Sequence, residues 1–437
     1  MTTTLDPWFA DPGTLPERTR SQLAMQMEPS HILAIADEVR GLQAAGEPIA
    51  NFTIGDFAPS EFPVPRRFLE HEQRLQDAGE NNYPPAVGMP QLRAAIRRHY
   101  VRDLGLSYPE GTVQVGSGAR PLIYAAFACL VSPGDKVLYQ VPSWNTSYYI
   151  ALNFAHGIEL VAKPEHGFML TADDLAPHMQ EARLLIINSP QNPSGTAISR
   201  EAMTEICEAI VAENRRRDET GQRPLFLLYD MVYWQLTLDD VEHVTPVGCV
   251  PEMARYTIMV DAISKSWAAT GVRVGWAVAP PWLMAPMKAL VGHMGAWAGR
   301  APQLATAATL DEPDIMRPWM EAYRTKVSGR QTRIYERLSA LSAAGLPVEP
   351  VQPEGALYVT ARFPLHGRTF GDRTVETDED IRSVLLHQAH TAVVPFTSFG
   401  YPEGTGWMRF SIGAVTDADI EAALDRIEAL LRQGGSS

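Results

Sequence analysis

At 437 residues the chain exceeds what a single hydrophobic core usually organises, so two domains are expected. Hydrophobic residues make up 45% and charged residues 20%, an ordinary balance for a soluble globular enzyme. The net charge of −14, with no basic stripe, argues against a nucleic-acid partner. Cys129, Cys207 and Cys249 lie too far apart in sequence to form a metal or redox motif, which fits a reducing compartment. Residues 1–16 lack a basic start followed by an apolar run, and the most apolar stretch, 122–131, is too short to span a bilayer. The expectation is a cytoplasmic protein without a membrane partner.

Residues 1 to about 30 read as a loose arm. Ser30 is placed to cap a first helix running through Gly41, because Ile32, Leu33, Ile35, Ala36 and Val39 recur at helical spacing. A strand is expected in the stretch 49–57, ending at Gly55. The segment 82–88 reads as a proline-rich loop with a buried tyrosine, Tyr83.

From about 90 to 280 the pattern alternates strand and helix. Strands are expected at 113–116, 136–141, 158–162, 184–188, 225–229, 258–261 and 274–279. Such alternation predicts an α/β fold with a mostly parallel sheet between helices, whose ligands sit at the carboxyl ends of the strands. Several distinctive stretches fall at such ends. Gly116-Ser117-Gly118-Ala119-Arg120-Pro121 closes one strand and opens a helix, with Pro121 expected as its first residue. Free amides and the helix dipole make such a turn an anion site, although a Gly-Ser-Gly run is also a common plain turn. Trp144 ends the next strand and offers a large apolar face, either to the core or to a flat ligand. Asn188 to Gly195 is a turn rich in Asn, Pro and Ser. The apolar strand 225–229 ends in Asp230, which is costly to bury unless it is paired or caps a turn. The run 257–260 leads to Ser264 and Lys265, where partial desolvation lowers a lysine pKa and favours a nucleophilic amine. Arg273, eight residues on, could hold a phosphate.

Beyond 280 helical segments are expected to about 310, and a long helix over about 316–344 is expected to link two domains. Strands follow at 357–360, 392–395 and 407–413, with a closing helix from 417 to 431. The strand at 407–413 carries Arg409, which could be a salt-bridged surface arginine or a carboxylate clamp.

The spacing Ser264-Lys265, Gly271, Arg273, Gly275 closely resembles the lysine signature of class I/II aminotransferases, the fold-type-I enzymes of pyridoxal phosphate that include aspartate aminotransferase. The other motifs follow in that family's order, from about residue 32 to 430. The resemblance implies a large domain with a seven-stranded, mostly parallel sheet and a smaller α+β domain built from both chain ends. Residues 1–80 would supply the arm and part of the small domain, 81–320 the cofactor domain and 321–437 the rest. It implies that Lys265 carries pyridoxal 5'-phosphate as a Schiff base and moves a proton during catalysis. Ser117, Gly118, Ala119, Ser264 and Arg273 would lie around the cofactor phosphate. Trp144 would stack on its ring, Asp230 would ion-pair the ring nitrogen, and Asn192 and Tyr233 would reach its phenolic oxygen. Gly55 and Arg409, with Trp144 and Asn192, would meet the substrate, Arg409 as a fork on the α-carboxylate. Tyr83, in a Tyr-x-x-x-x-Gly segment, would reach the cofactor of a neighbouring subunit, which implies a homodimer with shared active sites.

The reaction implied is amino transfer between an amino acid and a 2-oxo acid, with no metal. A lyase, decarboxylase or cyclopropane-forming synthase would use the same cofactor contacts. A non-catalytic binding or regulatory protein on this fold would be expected to have lost Lys265 or Asp230. Two departures stand out. Ala262 replaces a frequent hydroxyl residue three before the lysine, and Arg300 stands where relatives often have small polar residues. Arg120 or Arg300 could bind phosphate in compensation, or an acidic substrate side chain.

Overall fold

The computed structural model describes Leu5, Gly13 and residues 18–27, 31–371 and 373–434. The cap assigned to Ser30 lies outside the described residues. The helix it was to open is present as His31–Ala44, and it buries Ile35 and Val39 on the face that their four-residue spacing creates.

The large sheet contains β2 (Val113–Gly116), β3 (Lys136–Val141), β4 (His156–Val161), β5 (Ala182–Asn188), β6 (Phe226–Asp230), β7 (Thr257–Ala262) and β8 (Gly275–Val278). Its order is β2-β8-β7-β6-β5-β3-β4. The pairs β7–β6, β6–β5, β5–β3 and β3–β4 are parallel, and β8 runs antiparallel to both neighbours. The fold is therefore α/β with a mostly parallel seven-stranded sheet, as the alternating pattern predicts. Central β6 and β7 are buried on both faces, which is why they read as unbroken apolar runs rather than alternating ones. The carboxyl ends of β2, β3, β5, β6 and β7 share one edge of the sheet, and β8 starts there.

A second sheet, β14-β15-β10-β9, is antiparallel and joins β9 (Glu349–Val351), β10 (Tyr358–Arg362), β14 (Val394–Pro395) and β15 (Trp407–Ser411). A hairpin, β11 (Thr369–Phe370) with β12 (Arg373–Thr374), stands apart from it. The early strand β1 (Ala50–Asn51) pairs in parallel with β13 (Thr391–Ala392), so the two chain ends meet. Hydrophobic side chains form two clusters. One surrounds the large sheet. The other joins Phe52, Phe57 and Phe62 to the second sheet and to the helix Asp417–Gln433. The helix Pro313–Ala343 buries Met316 in the first cluster and Ile334 and Leu338 in the second.

Several elements differ from the sequence expectation. The strand expected in the stretch 49–57 is only β1, because the Asn51 side chain accepts hydrogen bonds from the Thr53 backbone N–H (3.1 Å) and hydroxyl (2.6 Å), turning the chain out of the ladder. The strand expected at 392–395 splits, with Ala392 paired to Asn51 and Val394 paired to Arg409 in the other sheet. Pro121 is the third residue of the helix Ala119–Leu130, not the first.

Arg330, buried in the long helix, ties the segment after β1 to the C-terminal region. Its guanidinium pairs with Glu61 and with Asp417 (2.6 Å), and donates to the Val415 carbonyl at 2.6 Å. Arg330→Met should lower unfolding stability by about 3–5 kcal/mol, because the carboxylates and carbonyls lose their buried partner. Urea unfolding measures this, and a loss under about 1 kcal/mol would contradict it.

Candidate active site

A cavity of about 450 Å3 opens at the carboxyl edge of the large sheet, where the second sheet leans over it. The ends of β3, β5, β6 and β7 contribute residues, as do the segments after β2 and before β8. After β7 the chain makes one helical turn, Ile263–Ser266, which presents Lys265. The Lys265 amine donates to the Gly55 carbonyl at 2.6 Å, and its own carbonyl accepts from the Tyr323 hydroxyl at 2.6 Å. Burial pushes its pKa down to about 8; Asp56 opposes this, while Arg409, Arg120 and Arg273 push further in the same direction.

Asp230 ends β6 in the same cavity. Burial raises its carboxyl pKa to about 6, against the Val232 backbone N–H, which it accepts at 3.3 Å, and the Lys265 charge. It thus caps the following turn and faces the cavity at once. That turn brings Tyr233 into place, its hydroxyl 2.8 Å from that of Tyr358 and its ring 5.9 Å from the Lys265 amine. Asn188, at the end of β5, braces both neighbours: its amide donates to the Asp230 carbonyl (2.9 Å) and its oxygen accepts the Asn192 N–H (2.9 Å).

Arg409, on β15, is 1% exposed and has no ion pair among the described residues. It donates to the Asn192 side-chain oxygen at 3.1 Å and to the Thr53 carbonyl at 2.6 Å. The rings of Tyr358 and Phe399 flank its guanidinium at 4.8 and 5.0 Å. Its Nε is buried without a hydrogen-bond partner, which is costly unless a ligand supplies an acceptor. The surface salt-bridge reading of Arg409 is thereby excluded.

Arg273 crosses the opposite wall, donating to the carbonyls of Thr270 (2.7 Å) and Ser117 (3.1 Å). Gly118, at φ +83°, leaves room for it: a Cβ there would stand 2.3 Å from the guanidinium. A Cβ on Gly275 would stand 2.6 Å from the Gly118 carbonyl carbon, which accounts for the last glycine of the lysine signature. Gly118 precedes the helix Ala119–Leu130 without a side-chain cap, leaving first-turn amides at the cavity wall beside Ala119.

The structure therefore gathers Gly55, Ala119, Trp144, Asn192, Asp230, Tyr233, Ser264, Lys265, Arg273 and Arg409 around one cavity. Ser117 and Gly118 do not line it and act on it through Arg273. Tyr83 lies outside it and is 82% exposed rather than buried as its loop suggested, because among the described residues its only ring contact is edge-to-face against Trp297. Of the two unassigned arginines, Arg300 pairs with Glu80, while Arg120 lines the cavity 4.2 Å above the Trp144 ring. Ala262 lines it too, so no hydroxyl is offered at that point. The sequence reading missed Tyr358, Asp56, Gln140 and Tyr149, which also line the cavity. Tyr358 carries no spacing relative to Lys265 and arrives through pairing of β10 with β15. Asp56 adjoins Gly55 and was legible only by that adjacency.

Comparison with known proteins identifies the family. The family model "Aminotransferase class I and II" matches residues 47–427. The aspartate aminotransferase of Streptomyces avermitilis is 30% identical over 424 residues, spanning 95% of this chain and 97% of that protein. An aspartate aminotransferase of Rhizobium meliloti is 29% identical over 406 residues, 92% of this chain and 93% of that one. A crystal structure of the aspartate aminotransferase from Rhizobium meliloti has a TM-score of 0.86 at 26% identity, covering 95% of this chain and 99% of that one. The chain belongs to the class I and II aminotransferases.

Proposed function

We propose that this aminotransferase uses pyridoxal 5'-phosphate and moves the amino group of an amino acid with an acidic side chain to a 2-oxo acid. The observation that carries the reading is a single cavity holding a desolvated lysine, a half-buried carboxylate and a buried arginine with an unpartnered Nε. The residues fit the cofactor. Asp230 can hold a protonated ring nitrogen, Trp144 presents a flat apolar face, and Asn192 and Tyr233 can hydrogen-bond a ring oxygen. Arg273, Ser264 and the first-turn amides at Ala119, with Ser117 and Gly118 behind them, suit a phosphate. When bound, pyridoxal phosphate supplies an aldehyde carbon that binds amines and a conjugated ring that accepts the electron pair of a breaking Cα–H bond.

The residues of the chain do the rest. Lys265 anchors the cofactor, and once released its amine, neutral above a pH of about 8, can accept the proton from the substrate Cα. Asp230, ionised above a pH of about 6, keeps negative charge beside the ring nitrogen through the neutral range. Arg409 receives the α-carboxylate as a fork, close to the Gly55 segment. Arg120 has no ion pair among the described residues and can meet a second carboxylate on the substrate. Relatives named aspartate aminotransferases support that acidic preference.

The exposed Tyr83, packed on Trp297, supports a homodimer in which Tyr83 of one subunit enters the cavity of the other. A large domain over 81–320 and a small one over 321–437, completed by residues 1–80, draw support from the second cluster, which joins Phe52, Phe57 and Phe62 to the second sheet, although Ile35, Val39, Phe68, Phe396 and Trp407 pack with the large sheet. Three free cysteines, and no described helix long and apolar enough to cross a membrane, support a cytoplasmic location.

Lys265→Ala should abolish turnover while the protein stays folded; turnover with a borohydride-reducible cofactor adduct in this variant would remove Lys265 from the mechanism. Arg409→Lys keeps the charge but loses the fork. It should lower kcat/KM about 10- to 100-fold for every α-amino acid, and far less for amines without a carboxylate. Equal loss on simple amines would defeat the assignment. Arg120→Ala should lower kcat/KM about 10- to 100-fold for aspartate and leave alanine within about 3-fold, as steady-state kinetics would show. Parallel losses on both substrates would exclude Arg120 as the side-chain partner.

A further inference from the structure

One buried carboxylate lies beside the cavity and takes no part in the chemistry above. Asp230 pairs with Val260 across β6 and β7, so Asp261 projects from the opposite face of the sheet. There it is 1% exposed and forms no ion pair among the described residues. One carboxylate oxygen accepts the indole N–H of Trp234 at 2.9 Å. The other accepts the backbone N–H of Ala262 at 2.7 Å. The Tyr100 hydroxyl stands 3.5 Å away and itself accepts from the Trp276 indole at 2.9 Å.

Every one of these neighbours is a donor toward Asp261. Two of them, an indole N–H and a backbone N–H, cannot accept at all. The hydrogen-bond set therefore matches the carboxylate form. Burial opposes it and pushes the carboxyl up to about 7, with the Asp230 charge adding to the rise. A group held at that cost is informative because of what it joins. Trp234 directly follows Tyr233. Ala262 begins the turn that presents Lys265 three residues later. The carboxylate thus pins together, from beneath the sheet, the two turns that carry the hydroxyl and the amine of the cavity. Packing of Trp234 against the rings of His99 (5.4 Å) and His243 (5.8 Å) limits how far its indole can shift to find another acceptor.

We propose that Asp261 is a positioning residue whose carboxylate, bridging Trp234 and Ala262, fixes Tyr233 against Lys265 and sets the rate of proton transfer without contributing to substrate binding. This rests on the reading that Lys265 and Tyr233 serve the reaction. Two near-isosteric variants test it in the holoenzyme. Asp261→Asn sets an amide donor against one of the two N–H groups, and Trp234→Phe removes the indole donor but keeps the ring. Each should lower kcat about 10-fold, leave KM for the amino acid within about 2-fold, and add little to the other when combined, since both break one bridge. The Trp234 indole N–H resonance, assigned by its absence in Trp234→Phe, should move upfield in Asp261→Asn.

An unmoved resonance would overturn the bridge. A moved resonance with kcat within about 2-fold of wild type, or losses that multiply fully in the double variant, would overturn the positioning role. If Asp261→Asn does not fold, the kcat-against-KM split of Trp234→Phe decides alone: a change in KM with kcat intact would refute the proposal. Turnover that survives Lys265→Ala would instead refute the reading beneath it, leaving the resonance shift to report on the bridge.

Discussion

The hydrogen bond from the Lys265 amine to the Gly55 carbonyl joins the two halves of this molecule at the point where chemistry is expected. The amine comes from the end of β7 in the large sheet. The carbonyl comes from a segment that belongs to the other hydrophobic cluster, held there by pairing of β1 with β13 and by a 2.9 Å bond from the Ser411 N–H to the Phe52 carbonyl. Bringing them together closes the cavity over the lysine and strips the amine of water, which is the main reason its pKa falls to about 8. Glycine is needed at the contact, because a Cβ on Gly55 would stand 2.9 Å from the Tyr358 hydroxyl. A larger residue would displace the Tyr358 hydroxyl or the carbonyl that receives the amine.

Charge inside the cavity is unbalanced. Arg120, Lys265, Arg273 and Arg409 line it against Asp56 and Asp230. Desolvation lowers the pKa of Lys265, Arg273 and Arg409, and neighbouring cations add to this at Lys265 and Arg273. An arrangement of this kind is relieved by anions, and phosphate and carboxylate groups are suitable ones. Aromatic faces make the burial of Arg409 tolerable, with Tyr358 and Phe399 flanking its guanidinium, while Trp144 lies under the exposed Arg120. The carboxylates are handled differently. Asp230 keeps one backbone N–H and an open side on the cavity, whereas Asp261 on the far face is surrounded by donors and serves as a strut.

Much of the fold was legible because β6 and β7 are buried on both faces and so appear as apolar runs with sharp ends. Those ends are where Asp230 and Lys265 sit, and local spacing places each correctly at the carboxyl edge. Segments stabilised by non-local pairing were less legible. Nothing near Asn51 signals that its side chain will bond Thr53 and end the strand, and nothing near Val393 signals that its two neighbours join different sheets. Arg120 and Arg300 looked equivalent in sequence. Only the folded chain sets Arg300 against Glu80 and Arg120 over Trp144.

By itself the sequence determined the strand–helix alternation, the order of the motifs and the identity of the groups at each strand end. These depend on periodicity and on residues close along the chain. Tertiary structure decided which of those groups share a cavity. Arg409 meets Asn192 across 217 positions of sequence, and Lys265 meets Gly55 across 210. It also decided the electrostatics, since the pKa values of Lys265 and Asp230 are set chiefly by burial, and burial is a property of neighbours that arrive from distant parts of the chain.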